Sequence, residues 1–237
     1  MSLNVENVDV AYGDLQVLWG VSLEVKSGEL VALIGSNGAG KTTTLKTIMG
    51  ILSPKSGNIK YLESDLLKLK PYERVKKGIA IVPEGRRLFP YMSVLDNILV
   101  GAYSREAREK LKDNLEWVFS LFPILKERKD QLASTLSGGE QQMLNIARSL
   151  ISKPKLIMFD ELSFGLAPIV VSKLIDTVHR LNKEEHMSVL LVEQNVRNAL
   201  EIADYGYVLE NGRVMLKGEA KDLLASEYVK KAFLGAI

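Results

Sequence analysis

The sequence contains no cysteine, only two tryptophans and two histidines, and almost no excess of charge: 31 Lys+Arg stand against 29 Asp+Glu, a formal net charge of +2. Each shortage excludes something. Without Cys there is no disulfide framework and no Cys-based zinc site, a pattern that suits a reducing interior. A charge of +2 is too small to argue for a nucleic-acid partner, and none is expected. No apolar run approaches the roughly 20 residues needed to cross a bilayer; residues 31–34 and 189–192 are typical in length. The opening MSLNVENVDV lacks the basic-then-apolar layout of a secretion signal, so export by that route is not expected. What is present is 46% hydrophobic and 25% charged residues over 237 positions, the proportions of a soluble globular chain. That length suits one large α/β domain or two small ones, burying roughly 70% or more of the unfolded surface.

Short apolar runs bounded by Gly, Pro or charge alternate with segments of 3.6-residue periodicity. Leu30–Ile34, Ile79–Val82 and residues 156–159 and 188–192 read as strands buried on both faces, the mark of a parallel sheet. Helical segments beside the last three predict βαβ units. The two ends differ. Residues 4–11 alternate in part, and residues 17–25 alternate with Val17, Trp19, Val21, Leu23 and Val25 on one face. Tyr205–Glu210, Asn211-Gly212 and residues 213–217 read as a hairpin with a type I′ turn. Residues 93–101, 105–121 and 139–151 carry helical spacing, and no strand is apparent from 89 to 153. A helical subdomain of about 89–153 is therefore expected, inserted in a single domain spanning 1–237. The charge-rich stretches 68–77 and 126–130 mix signs or adjoin Pro and predict solvated faces. His179 and His186 read as ordinary helix or turn residues.

One loop carries chemistry. Gly35, Ser36, Asn37, Gly38, Ala39, Gly40, Lys41 and Thr42 match G-x-x-x-x-G-K-[ST], directly after a strand and directly before a helix; Thr43 follows on that helix. A chance match is expected in fewer than about 1 in 50 chains of this size. Gly permits positive φ and close backbone approach to phosphate. The loop N–H groups form an anion nest, reinforced by the helix N-terminus. Lys41 is expected to reach the β/γ-phosphates and the Thr42 hydroxyl to ligate Mg²⁺. Asp160 and Glu161 end another apolar strand, where open α/β sheets place their ligands. Beside a phosphate loop, Asp160 is expected to hold Mg²⁺ and Glu161 to orient or activate the attacking water. The plainer alternative is an acid capping the next helix.

Ser137, Gly138 and Gly139 open a helix running to about Ile151, a second anion site or, more simply, a Ser-x-x-Glu capping box. The sequence LSGGEQQ upstream of LIMFDE, with GSNGAGKT near the start, resembles the nucleotide-binding subunit of ABC transporters over nearly all of the chain. The resemblance implies an α/β P-loop NTPase (RecA-like) core with a mostly parallel sheet, an N-terminal antiparallel β subdomain and an inserted helical subdomain. It also implies two ATP molecules held between two cassettes, each bound by one phosphate loop and the other cassette's Ser137, Gly138 and Gly139. Length arithmetic alone leaves contact within one chain open, since a helix of that size spans roughly 20 Å. By the same resemblance Tyr12 stacks on adenine. Separate integral-membrane permeases receive the work, and a solute-binding protein is an indirect partner. The location implied is the cytoplasmic face of a prokaryotic membrane.

Three departures from the common pattern bear on the site. Glu84, in Pro83-Glu84-Gly85-Arg86-Arg87-Leu88-Phe89-Pro90, stands where the family usually has a Mg²⁺-contacting Gln, with Arg86 or Arg87 expected to offset its charge. Gln194 stands where a switch His usually meets the γ-phosphate; it is able to donate a hydrogen bond but brings no positive charge. Leu162 and Ala167 replace a common Pro and an intersubunit Asp. The GLAP segment, VPEGRRLFP, VEQN and Phe233-Leu234-Gly235 together resemble the ATPases of branched-chain amino-acid uptake, with a closely similar branch serving urea and short amides. Other readings fit less well. A soluble, non-transport ABC ATPase commonly carries two cassettes or a long coiled coil. A P-loop kinase or GTPase has no use for LSGGEQQ. A pure ATP-binding regulator has none for Glu161.

Overall fold

The structure is a computed structural model that describes residues 3–233; Leu234 and Gly235 of the C-terminal motif lie outside them. Strands β1 (Leu3–Tyr12), β2 (Leu15–Val25) and β3 (Leu30–Ile34) are followed by helix α1 (Lys41–Ile48). Next come β4 (Ser56–Tyr61), β5 (Ser64–Asp65), α2 (Pro71–Lys76) and β6 (Ile79–Val82). A helical stretch follows: α3 (Val94–Val100), α4 (Arg105–Glu109), α5 (Leu111–Leu121), α6 (Pro123–Glu127) and α7 (Gly138–Leu150). The chain returns through β7 (Leu156–Asp160), α8 (Pro168–Lys183), β8 (Ser188–Glu193) and α9 (Val196–Ile202). It ends in β9 (Tyr205–Glu210), β10 (Arg213–Glu219), α10 (Ala220–Ala225) and α11 (Glu227–Phe233).

Two sheets result. The smaller, in the order β2-β1-β4-β5, is antiparallel. The larger runs β10-β9-β3-β8-β7-β6 and is parallel except for the β9–β10 hairpin. Its central strands separate two cores, which explains their unbroken apolar runs. Leu30, Ala32 and Ile34 of β3 pack on one side with α7, α8 and α9; Val31 and Leu33 pack on the other with α1 and the smaller sheet. Strands β7 and β8 divide in the same way, Phe159 and Leu191 to one side, Met158 and Leu190 to the other. Residues buried on both faces leave no polar position to alternate with. The hairpin turn is as expected, with Asn211 and Gly212 at φ 47° and 73°.

The structure corrects several expectations. Trp19 does not share the face of Val21, Leu23 and Val25: Leu18 is buried there and half-buried Val17 packs beside that core, while Trp19 is 41% exposed with Arg213 5.1 Å from its ring. The cause is a bulge. Val8 pairs with Val21 and Val10 with Leu18, so β2 carries one extra residue there, at Gly20 with φ 57°. The helix expected over 105–121 is broken at Lys110, between α4 and α5, with no Gly or Pro to mark it. Strands β4 and β5 had no sequence reading. The stretch 68–77 is not wholly solvated, because Arg74 is 4% exposed. Its guanidinium donates to the carbonyls of Thr47 (2.9 Å), Ile48 (2.7 Å) and Leu69 (3.1 Å), satisfying groups at the C-terminal end of α1. His179 and His186 are exposed, on α8 and in the turn that follows it.

Candidate active site

Residues 35–40 join β3 to α1 and cross the carboxyl edge of the larger sheet. Two glycines are required there by space. A Cβ on Gly35 would lie 2.2 Å from the Leu209 carbonyl oxygen of the neighbouring strand β9. Gly40, which caps α1, has φ 107°, and its Cβ would meet the Leu18 side chain at 2.5 Å. The hairpin turn braces the loop from outside, Gly212 N–H donating to the Ala39 carbonyl at 2.9 Å. Ser36, Asn37 and Gly38 stay exposed, whereas Ala39, Gly40, Lys41 and Thr43 are buried. The loop is thus built as a fixed rim with an open mouth.

The expected catalytic groups converge at that mouth. The Lys41 ammonium, 4% exposed, donates to the carbonyls of Gly35 (2.9 Å) and Ser36 (3.0 Å) and lies 3.3 Å from Glu161 Oε1. The Thr42 hydroxyl donates to Asp160 Oδ1 at 3.0 Å. Burial pushes the Asp160 carboxyl above the usual carboxylate range; the charges of Glu84 and Glu161 add to the rise, while Thr42 and Lys41 oppose it. Glu84 and Asp160 therefore share one field although 76 positions separate them. The Tyr12 hydroxyl is 3.4 Å from Thr43 Oγ1, and its ring, 45% exposed, stands at the edge of the same loop. Glu161 adopts left-handed backbone, φ 51°, at a cost of about 1 kcal/mol. Gln194 lines a cleft of about 360 Å³ together with Glu161 and Ser163.

Ser137, Gly138 and Gly139 are not part of this gathering. Among the described residues, no hydrogen bond or ion pair joins them to the phosphate loop. The capping box is formed: Ser137 N–H donates to Glu140 Oε2 at 2.8 Å, and Glu140 N–H to Ser137 Oγ at 3.4 Å. A Cβ on Gly139 would press Val170 at 2.8 Å, and one on Gly138 would stand 3.2 Å from Arg86 Nη2. Arg86 reaches toward α7, donating to Gln141 Oε1 at 3.4 Å, and among the described residues no ion pair joins Arg86 or Arg87 to Glu84. Sequence reasoning missed Glu193, buried at the end of β8, where its two oxygens accept from Ser163. The signal was available: SVLLVE is a second apolar strand ending in an acid, like LIMFD.

Mg²⁺ retains water and phosphate oxygens in nucleotide sites and asks one or two oxygens of the protein. Thr42, Asp160 and Glu84 supply hard oxygen donors and fit that demand, although no cluster of three or more His, Cys, Asp or Glu forms a metal cage among the described residues.

Residues 18–163 match the ABC transporter family. The chain belongs to that family. This cassette is 45% identical to the high-affinity branched-chain amino acid transport ATP-binding protein BraG of Pseudomonas aeruginosa, covering 98% of this chain and 99% of BraG. It is 34% identical to the lipopolysaccharide export system ATP-binding protein LptB of Escherichia coli K12, covering 99% and 97% of the two chains. It superposes with a TM-score of 0.85, at 28% identity and 99% coverage of each chain, on an ABC transporter ATP-binding cassette solved in its ADP conformation. The cassette is accordingly an ATPase that binds adenine nucleotide. Among the described residues no helix is long and apolar enough to cross a membrane.

Proposed function

We propose that this cassette powers the uptake of branched-chain amino acids, hydrolysing ATP at a site completed by a second cassette. The observation that carries the chemistry is the meeting of Lys41, Thr42, Asp160 and Glu161 at one sheet edge. Lys41 and the loop N–H groups of residues 35–43 bind the triphosphate, and Tyr12 stacks on the base. Thr42, Asp160 and Glu84 hold Mg²⁺, which when bound neutralises phosphate charge. Glu161 draws the attacking water into line, and Gln194 donates to the γ-phosphate. The signature residues Ser137, Gly138 and Gly139 serve the opposite nucleotide in a head-to-tail pair; their isolation from this chain's own loop supports that assignment.

A ligand shifts an equilibrium only by its differential affinity for two states. ATP, with a γ-phosphate to bridge both cassettes, favours the closed pair; ADP does not. The resulting opening and closing is transmitted to integral-membrane permeases at the cytoplasmic face, a solute-binding protein delivering cargo on the far side. Likeness to BraG favours branched-chain cargo over urea or short amides. Likeness to LptB favours a second reading, service to an export permease.

Affinity purification of the tagged cassette from detergent-solubilised membranes, followed by reconstitution, decides between them. The expected result is a permease complex that moves labelled leucine into proteoliposomes at the expense of ATP. Recovery of lipopolysaccharide-export permeases, or ATP-driven movement of urea without leucine, would overturn the cargo assignment. Absence of ATP hydrolysis in the complex would overturn the roles given to the site residues.

A further inference from the structure

Strand β8 ends in a buried carboxylate that the chemistry above does not use. Glu193 is 1% exposed; both of its oxygens accept from Ser163, and the Asn195 backbone N–H also bonds to the carboxylate. The Ser163 backbone N–H donates to Oε1 at 2.9 Å, and the Ser163 hydroxyl donates to Oε2 at 2.8 Å. Among the described residues no Lys or Arg pairs with it; the charge it feels is that of Glu161, which is also negative. Burying an unpaired carboxylate costs stability even when it is hydrogen-bonded. In a strand otherwise apolar toward its end, an alkyl side chain would serve packing better. The function of Glu193 lies in what it holds.

It holds the turn that carries Glu161. Ser163 is two residues beyond Glu161, whose backbone is left-handed and whose N–H donates to the Val192 carbonyl at 2.9 Å. Two consecutive residues of β8 therefore grip this turn, Val192 through its carbonyl and Glu193 through its side chain. The next residue in the chain is Gln194, which lines the same cleft as Glu161 and Ser163. Backbone in a sparsely populated region persists only where its surroundings over-determine it, and these contacts do so. Paired hydrogen bonds to a carboxylate fix orientation as well as distance.

We propose that Glu193 is a positioning residue, bolting the 161–163 turn to the end of β8 so that the Glu161 carboxylate and the Gln194 amide keep a fixed relation across their shared cleft. The inference rests on the reading of Glu161 as the group that acts on water.

The test compares Glu193→Ala, Glu193→Gln and Ser163→Ala in the full chain, with wild type and Glu161→Gln beside them. Readouts are kcat, KM for ATP and melting temperature. Displacing a catalytic group by about 1 Å can cost 100-fold, so Glu193→Ala is expected to lower kcat roughly 10- to 100-fold while KM for ATP stays within about twofold. Glu193→Gln keeps an acceptor for the N–H and places an amide donor against the hydroxyl oxygen; it is expected to recover kcat to within about threefold of wild type. The double variant Glu193→Ala/Ser163→Ala is expected to be no slower than Glu193→Ala, because Glu193→Ala already removes the hydroxyl contact that Ser163→Ala would remove. Wild-type kcat in Glu193→Ala, no recovery with Gln, or a rise in KM matching the fall in kcat would each overturn the proposal. If Glu193→Ala does not fold, Ser163→Ala decides: a kcat equal to wild type sinks the idea. Turnover that survives Glu161→Gln refutes the reading of Glu161 instead; turnover that depends on Glu161 but ignores Glu193 refutes this inference alone.

Discussion

Glu161→Gln removes one charge and almost no volume. The side chain is 11% exposed and lies 3.3 Å from the Lys41 ammonium, which keeps its bonds to the Gly35 and Ser36 carbonyls when the charge is gone. A Gln oxygen still accepts from that ammonium, so the loss is the difference between a charged and a neutral acceptor, about 1 kcal/mol. For a chain of this size that moves Tm by roughly 2–4 °C. The left-handed backbone at Glu161 is no costlier for Gln. Catalysis changes far more. A positioned general base is worth about 10²- to 10⁴-fold, which is about 2.7–5.4 kcal/mol of barrier. ATP affinity is expected to hold or rise, since a negative group near the γ-phosphate disappears and Lys41 loses a competing partner. Phosphate release gives kcat, calorimetry gives the ATP Kd, and size exclusion with and without ATP reports a trapped pair of cassettes. Undiminished turnover would show that Glu161 does not act on water. A Kd weakened more than tenfold would show that it holds the nucleotide loop instead.

Gly35→Ala drives a Cβ to 2.2 Å from the Leu209 carbonyl oxygen, backbone that is fixed in the sheet; a loss of about 3 kcal/mol in denaturant unfolding, with ATP affinity, is expected. Leu18→Ala is expected to cost about 2–5 kcal/mol and Trp19→Ala no more than about 1, its ring being exposed beside Arg213; equal losses would refute the bulge at Gly20. Burial raises the Glu193 carboxyl above its ordinary value, so the native state binds that proton more tightly than the unfolded chain. The stability this contributes is present at low pH and lost as pH rises through the folded pKa. Gln does not titrate, so the Tm of Glu193→Gln minus that of wild type is expected to grow from pH 5 to pH 8 in chelator; a flat difference would contradict the sign.

What the sequence made legible was whatever one segment decides alone. Strands β3, β7 and β8 are apolar without interruption because helices or the smaller sheet cover both faces, and the phosphate loop has its glycines, Lys41 and Thr42 in consecutive positions. Strand β4, SGNIKY, has no such run; its pairing with β1 places Gly57 at φ 91°, where a Cβ would lie 2.4 Å from the Asn7 carbonyl oxygen. The extra residue at Gly20 was hidden because Val17, Trp19 and Val21 alternate through it without a break. Arg74, and the role of Glu193 though not its place at the acid end of an apolar strand, were hidden for another reason. Each is a charged residue whose role is set by partners 26 to 30 positions away, the Thr47 and Ile48 carbonyls for one and Ser163 for the other.

Partners of that kind also join the loop that carries Glu84 to the helix that Ser137 caps. One face of α7 gathers carbonyls of the loop that carries Glu84 and of the end of β6 that leads into it. Asn145 Nδ2 donates to Pro83 at 3.0 Å, and Ser149 Oγ donates to Ile81 at 3.0 Å. Arg148 donates to Arg87 at 2.8 Å and to Arg86 at 3.2 Å. Gly85, Arg86 and Arg87 are all left-handed, at φ 76°, 61° and 42°, a conformation that ordinary residues keep only under such restraint. Hydrogen bonds to a charged guanidinium are worth about 1.5–3 kcal/mol each, and burial has already taken water from Arg148. The set ties the loop to the helix at four backbone carbonyls. A 13-residue helix is a rod about 20 Å long with Ser137 at its leading end. In the head-to-tail pair proposed above, a displacement of residues 81–87 would reach the signature as motion of that whole rod, and would join one chain's nucleotide to its partner's by rigid geometry rather than by a change in any side chain between them.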